Sequence, residues 1–258
     1  MHGRFSRGVA AAGLPAANTD AVPVTEEDLA GLPAVVQRYL RFAGVVGRPR
    51  DWSFRARFTG RFRLRPGTPW MALDSWQYNS SLAVARLFYM RIRFAGVVPL
   101  FGWDTYVGGH GRMHGKLLGL MTVVDGRGEE FDIGELVTYL NDAVLMAPSM
   151  LLTPSTSWTE VDDRSFDVSI TDNGRTVTAR VLLDETDAPC DFSTTDRFAS
   201  LPTGLLRARW TTPVEGWRAV DGRRLPQRVS VIWHFPDGQF TYGEFRFRGA
   251  VYNVPPGT

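Results

Sequence analysis

The 258-residue chain has one cysteine, Cys190, and one lysine, Lys116. A single cysteine excludes a disulfide framework and any cysteine-based zinc site. With no resolving thiol nearby, Cys190 reads as inert. An excess of one charge is also lacking: Lys plus Arg is 29, Asp plus Glu is 27, and the net is +2. That balance speaks against a nucleic-acid binder. Long apolar runs are missing too. The longest, Phe94–Trp103, is about half a membrane span. It carries Pro99 and two glycines, so it reads as a loop or strand end. No internal repeat or low-complexity segment interrupts residues 25–253.

What is present fits an ordinary globular chain. Apolar residues make up 44% and charged residues 22%. Disordered, collagen-like and multi-span membrane classes are excluded. Apart from Lys116, the basic residues are arginines. That bias suits a GC-rich coding sequence. Arginine nevertheless fixes carboxylates and phosphates where lysine does not, so local patches count.

Residues 1–22 are rich in Ala, Gly and Pro and make a poor signal-peptide core. They read as a flexible leader, with 23–258 as a single β-rich domain. No transmembrane segment is expected, and the cytoplasm is the expected location. Thr25-Glu-Glu-Asp28 starts a helix, close to a capping box. Pro33 suits a first helical position, and Gly44 suits the end. This predicts one amphipathic helix over about 25–43.

The period then changes to two. Trp52, Phe54, Ala56, Phe58, Gly60, Phe62 and Leu64 alternate with Ser53, Arg55, Arg57, Thr59, Arg61 and Arg63. Such alternation marks a half-buried antiparallel strand. Trp70–Tyr78 returns, and Arg86–Phe94 alternates again, with Phe88, Met90, Ile92 and Phe94 on one face. Strands follow at 104–107 and 112–124. Asp132, with Glu135 three residues on, reads as the N-cap of a second helix ending near Pro148. The rest reads as strands at 159–170, 175–183, 189–198, 206–218, 224–235 and 239–252. Asn173-Gly174, Asp221-Gly222 and Asp237-Gly238 are hairpin turns. The predicted fold is mainly β (α+β): a single strongly curved antiparallel sheet, a half-barrel, with two helices covering its concave face.

Several segments, in order, resemble an uncharacterised bacterial family of unknown function over about residues 25–253. They include LPAVVQRYLRFAGVVG, FTGRFRL, GRMHGKLLGLMTVVDGRGEEFDIGELVTYLNDAVLMAPSMLL, TTDRF, RWTTP and VIWHFPDGQFTYGEFR. Many members of that family carry an N-terminal membrane helix, which this leader does not resemble. The family brings no activity. The order of strands and helices also resembles the lipoprotein-carrier half-barrel, whose members bind acyl chains. By fold analogy this implies a lipophilic ligand.

The glycines around His110 and His114 match neither a dinucleotide fingerprint nor a P-loop. On a strand these histidines would stand about 13 Å apart, too far to share an ion, though Asp104 could join one of them. No metal and no cofactor is expected. No nucleophile elbow is present. Glu135, Tyr139 and Asp142 share a stripe of the second helix. With Asp196, Arg197 and Lys116 they would form a polar cluster at a cavity mouth. The aromatic stripe of Trp52, Phe54, Phe58, Phe62, Phe88, Met90 and Ile92 is either a core or an apolar pocket. The arginine face at Arg55, Arg57, Arg61 and Arg63 is a solvated face paired with acids, or a contact for an anionic membrane surface.

The leading reading is a binder of a lipophilic small molecule. Its expected contacts are Trp52, Phe54, Phe58, Phe88, Met90, Lys116, Tyr139 and Arg197. The alternative is a cofactor-independent cyclase, isomerase or hydratase acting on an apolar substrate. It would use Glu135, Asp142, Asp196 or His234 as acid or base, and would need a carboxylate of raised pKa. A third reading is a solid domain that docks on a partner. Ligand identity and oligomeric state stay open.

Overall fold

A computed structural model describes residues 2–17, 22–94, 98–201 and 203–257, without the Phe94 side chain. Residues 18–21 of the expected leader and 95–97 of the apolar run lie outside the described residues. The chain is mainly β. The first ten strands in chain order are β1 Ser53–Phe62, β2 Met71–Ser80, β3 Ala85–Phe94, β4 Val98–Val107, β5 His110–Leu117, β6 Met121–Arg127, β7 Thr156–Asp162, β8 Ser165–Asp172, β9 Arg175–Leu183 and β10 Pro189–Thr194. Then come β11 Phe198–Leu201, β12 Gly204–Arg207, β13 Arg209–Thr211, β14 Val214–Val220, β15 Arg223–Phe235 and β16 Gly238–Tyr252. The helices are α1 His2–Ala11, α2 Glu26–Leu29, α3 Ala34–Phe42 and α4 Glu129–Met146.

Fourteen strands form one antiparallel sheet, with the path β6-β5-β4-β3-β2-β1-β16-β15-β13-β10-β9-β8-β7, and β14 pairs with β15 off this path. The path has two ends, so the sheet is not closed. β11 and β12 make a separate ribbon. The three predicted turns are all hairpin ends, joining β8 to β9, β14 to β15 and β15 to β16. Asn173 and Gly174, with φ of 48° and 75°, occupy the left-handed region such two-residue turns require.

Several expectations need correction, among them the strands over 189–198 and 206–218, which are broken into β10 and β11 and into β12, β13 and β14. The helix over 25–43 is two helices. Thr25 and Asp28 do form a capping box on α2. Pro33, however, is extended at φ −54° and ψ 147°, outside α3, because proline has no N–H to continue a helix from α2. The second helix starts four residues early, with Gly128 rather than Asp132 at the N-cap position. Asp132 does not cap it; its carboxylate accepts from the Gly111 amide at 2.7 Å and pairs with Arg175 at 2.7 Å. The strand over 112–124 is broken at Leu118–Leu120 into β5 and β6. The strand over 159–170 is likewise a hairpin, β7 and β8. Within the apolar run, Val98–Trp103 is the first part of β4, the strand-end alternative of the two readings.

The leader is also more ordered than expected. Phe5 and Val9, four apart on α1, are fully buried against Tyr78 and Leu87. Arg55 lies 5.7 Å from the Phe5 ring, so α1 covers part of the arginine face.

α4 is buried on nearly every side. Its polar residues are therefore tied to strands rather than to water. Glu135 and Asp142 bind Arg86 of β3. Asn141 donates to Thr212 Oγ1 at 2.6 Å. Tyr39 of α3 donates to the Val144 carbonyl at 2.7 Å. Gly111 leaves room for α4: a Cβ there would meet the Phe131 carbonyl oxygen at 2.1 Å. No helix among the described residues is long and apolar enough to cross a membrane.

Candidate functional site

Residues directly opposite on antiparallel strands share a face. The registers of β1 to β5 and β16 therefore sort the α4-side face into rows. One row holds Phe54, Asn79, Arg86, Tyr106 and Tyr252. The next holds Ala56, Gln77, Phe88, Asp104 and Met113. Then come Phe58, Ser75, Met90 and Phe247, and after them Leu73, Ile92, Leu100 and Phe245. Polarity falls along the strands from the Arg86 row to the Leu100 row.

At the polar end, Arg86 is buried and clasped by two carboxylates of α4. Its Nη1 donates to Glu135 Oε2 at 2.9 Å and its Nε to Asp142 Oδ2 at 2.6 Å. Glu135 and Asp142 are seven residues apart, two helical turns, so both face the same strand. The guanidinium also lies 4.9 Å from the Phe88 ring. Arg197, just before β11, is the second buried cation. It lies 4.2 Å from the Trp210 ring and 5.7 Å from Trp233. Its Cγ lies 3.9 Å from where a Cβ on Gly134 of α4 would stand, an ordinary contact distance.

Three carboxyls face these two guanidiniums. Burial pushes Asp104 up to about 7, helped by the Glu135 charge and opposed by Arg86 and Arg197. Burial also raises Glu135 and Asp142, with Arg86 pulling each back. One carboxyl too many for the available cations favours keeping a proton in the cluster. Three buried polar atoms on this side, Asp104 Oδ1, Arg197 Nη1 and Ser75 Oγ, have no hydrogen-bond partner among the described residues. Buried polar atoms are nearly always paired, so these three need a reason.

The remaining predicted residues divide. Phe54, Phe58 and Tyr139 are buried in the main core beside α4, and Phe88 shares the Asp104 row. Burial, then the charges of Asp172 and Asp142, raises the Tyr139 phenol. Met90 packs with Met71, Leu73 and Ile92 in a separate apolar cluster, over Gly102. Trp52 precedes β1 and belongs to no core cluster.

Two expected members of the polar cluster, Asp196 and Lys116, and the separate acid–base candidate His234 are not in it. Asp196 turns away from Arg197; it accepts from the Thr178 amide at 2.9 Å and pairs with Arg207. Lys116 pairs with Phe101 in register, three residues from Met113, which places it on the opposite face from Asp104. His234 alternates with the inward Trp233, and its Nε2 lies 2.9 Å from Thr211 Oγ1. Burial, then Arg209, lowers its pKa. The residues that sequence reasoning missed are Arg86 and, in this role, Asp104. The signal for Arg86 was available: it stands two residues before Phe88 on the inward phase of β3. A charge on an apolar phase needs a buried partner.

His110 and His114 both lie on β5. His114 packs on the Trp103 ring at 4.6 Å, and its Nδ1 lies 3.3 Å from Asp125. Among the described residues no three His, Cys, Asp or Glu side chains are grouped to hold a metal ion.

The chain belongs to a family of unknown function, DUF6544, whose model matches residues 22–245. No curated protein matches it. Among solved structures it is similar to a LolA superfamily protein from Nitrosomonas europaea, at 13% identity and a TM-score of 0.43, over 83% of this chain and 91% of that one. It is also similar to a putative outer membrane lipoprotein-sorting protein domain from Vibrio parahaemolyticus, at 9% identity and a TM-score of 0.39, over 84% and 90%. A DUF1329 family protein from Desulfovibrio piger follows at 11% and 0.35, over 86% and 92%. Overlaps this loose assign no function.

Proposed function

We propose that the protein binds a lipophilic small molecule along the α4-side face of the sheet. Its polar end would meet Arg197, Asp104 and Arg86. Its apolar body would follow Phe88, Phe58 and Met90 toward Leu100. The observation that carries this is the set of unpartnered buried atoms at the head of an apolar gradient. Asp104 to Leu100 spans four residues, about 13 Å along a strand. A polar end placed there would satisfy Arg197 Nη1 and Asp104 Oδ1, which are costly to leave alone.

Curling of the sheet into a half-barrel belongs to this reading. Nine strand steps separate β5 from β9, about 43 Å if the sheet were flat. Yet Arg175 Nη1 of β9 donates to the Gly109 carbonyl beside β5 at 3.0 Å. The Tyr106 hydroxyl of β4 also donates to Asp172 of β8 at 2.6 Å. A two-helix cover belongs to the same reading, supported by the packing of α3 and α4 residues in the main core. The core running from Val24 to Tyr252 supports one domain over 23–258. A ligand this apolar would be exchanged with a membrane surface, and the arginine face is the surface suited to that contact.

The test is a tryptophan-fluorescence titration with a long-chain fatty acid and its alcohol, since Trp210 and Trp233 flank Arg197. Saturable binding that weakens in Arg197→Gln supports the reading. No response to either probe contradicts it.

One observation favours a second reading, acid–base catalysis on an apolar substrate. The Asp104 carboxyl, raised to about 7, is suited to proton transfer near neutral pH. Glu135 and Asp142 would stand behind it as orienting groups. Asp196 and His234 take no part. A turnover profile with a limb near pH 7 that vanishes in Asp104→Asn would support catalysis.

A further inference from the structure

The face opposite Arg86 carries a cavity of about 670 Å³ across β1, β2, β3, β14, β15 and β16. Register explains its shape. One row across the strands reads Arg91, Asp74, Thr59, Arg246, Arg228 and Glu215. The adjacent row reads Arg93, Ala72, Arg61, Glu244 and Ser230. Thr59, Ala72 and Ser230 are short and form a floor. The long arginines around them form walls.

The charges do not cancel. Arg61 pairs with Glu244 at 2.7 Å, and Arg91 and Arg93 share Asp74 at 2.8 and 2.7 Å. Arg248 donates to the Thr59 hydroxyl at 2.6 Å. Arg246 has no ion pair among the described residues, and it stands directly opposite Arg228. Arg228 reaches only Glu215, at 3.6 Å. Like charges directly opposite on antiparallel strands repel. Five arginines thus meet three carboxylates in the lining of one cavity, and a sixth, Arg91, shares one of those carboxylates, Asp74.

We propose that this cleft binds a phosphate dianion, carried by a soluble molecule or by a lipid headgroup. A dianion offsets both Arg246 and Arg228, which one carboxylate cannot. Guanidinium forks match phosphate oxygens in pairs. The site lies on the other face from the proposed apolar site and does not depend on it.

The test is calorimetric titration of the full chain with pyrophosphate, against sodium chloride at matched ionic strength. One-site saturable binding is expected, weakened about tenfold in Arg246→Gln. Arg224→Gln, outside the cleft, is the control and should bind as the parent does. Sedimentation with phosphatidic acid vesicles, against phosphatidylglycerol vesicles of equal charge, identifies the source. Phosphatidic acid preference lost in Arg246→Gln makes a headgroup the ligand. Pyrophosphate binding without vesicle binding makes it a soluble phosphate. The proposal is overturned if neither probe binds, if chloride reproduces the effect, or if Arg224→Gln loses as much as Arg246→Gln.

Discussion

The strands β1 to β3 carry arginine–carboxylate pairs on both faces, in opposite surroundings. Arg86, Glu135 and Asp142 are out of water, with side-chain exposures of 6%, 3% and 15%. On the other face Arg61 and Glu244 are 52% and 37% exposed at a similar separation. The contacts are alike, but their consequences are not. Desolvation makes the buried set costly to assemble and far costlier to break. Water and salt screen the exposed set, so it adds little. The buried set joins a helix to a strand, whereas the exposed set joins neighbouring strands that the backbone already holds.

The largest expected effect breaks the buried side. Arg86→Ala leaves Glu135 and Asp142 buried without their cation. Equilibrium denaturation should show a loss of about 3–5 kcal/mol. Replacing all three groups by neutral ones, with Arg86→Met, Glu135→Gln and Asp142→Asn, should recover most of that loss. A triple variant as unstable as Arg86→Ala would make the loss one of packing rather than of charge.

Next comes the docking of α1. Phe5→Ala removes a fully buried ring. It should cost about 3 kcal/mol if α1 is held in place. A cost near zero would return the first eleven residues to the flexible leader that their composition implied.

Asp104 gives a pH-dependent contrast. Its folded-state pKa, about 7, lies above the ordinary carboxyl value near 3.9. The folded chain therefore holds that proton more tightly than the unfolded chain. The resulting stability is fully present below about pH 4 and declines as pH rises through 7. Asp104→Asn should flatten this part of the stability–pH curve.

The smallest effect belongs to the exposed side. Arg61→Ala should change stability by less than about 1 kcal/mol, and less still at high salt. A loss as large as that of Arg86→Ala would erase the distinction between the two faces.

How much of this the sequence showed follows from where each signal is local. Alternation over residues 52–64 and 86–94 and the turns at Asn173, Asp221 and Asp237 depend on neighbours in the chain. Those features were legible. Phe5 and Val9 are too few to mark a helix amid Ala and Gly, and their partners Tyr78 and Leu87 are distant in sequence. Arg86 follows the inward phase of its strand, but its acids lie 49 and 56 residues away. No spacing rule links them. Asp196 and Arg197 read as a pair because they are adjacent. Neighbouring residues at the end of a strand point apart, so only Arg197 joined the cluster.

The central claim is that the apolar gradient below Arg86 and Arg197 is a ligand site. Native mass spectrometry of the protein as purified, with organic extraction of anything bound, tests it most directly. The account predicts a defined lipophilic mass with a polar end, reduced in Arg197→Gln. A clean apo mass, unchanged after incubation with a fatty-acid panel, would contradict it.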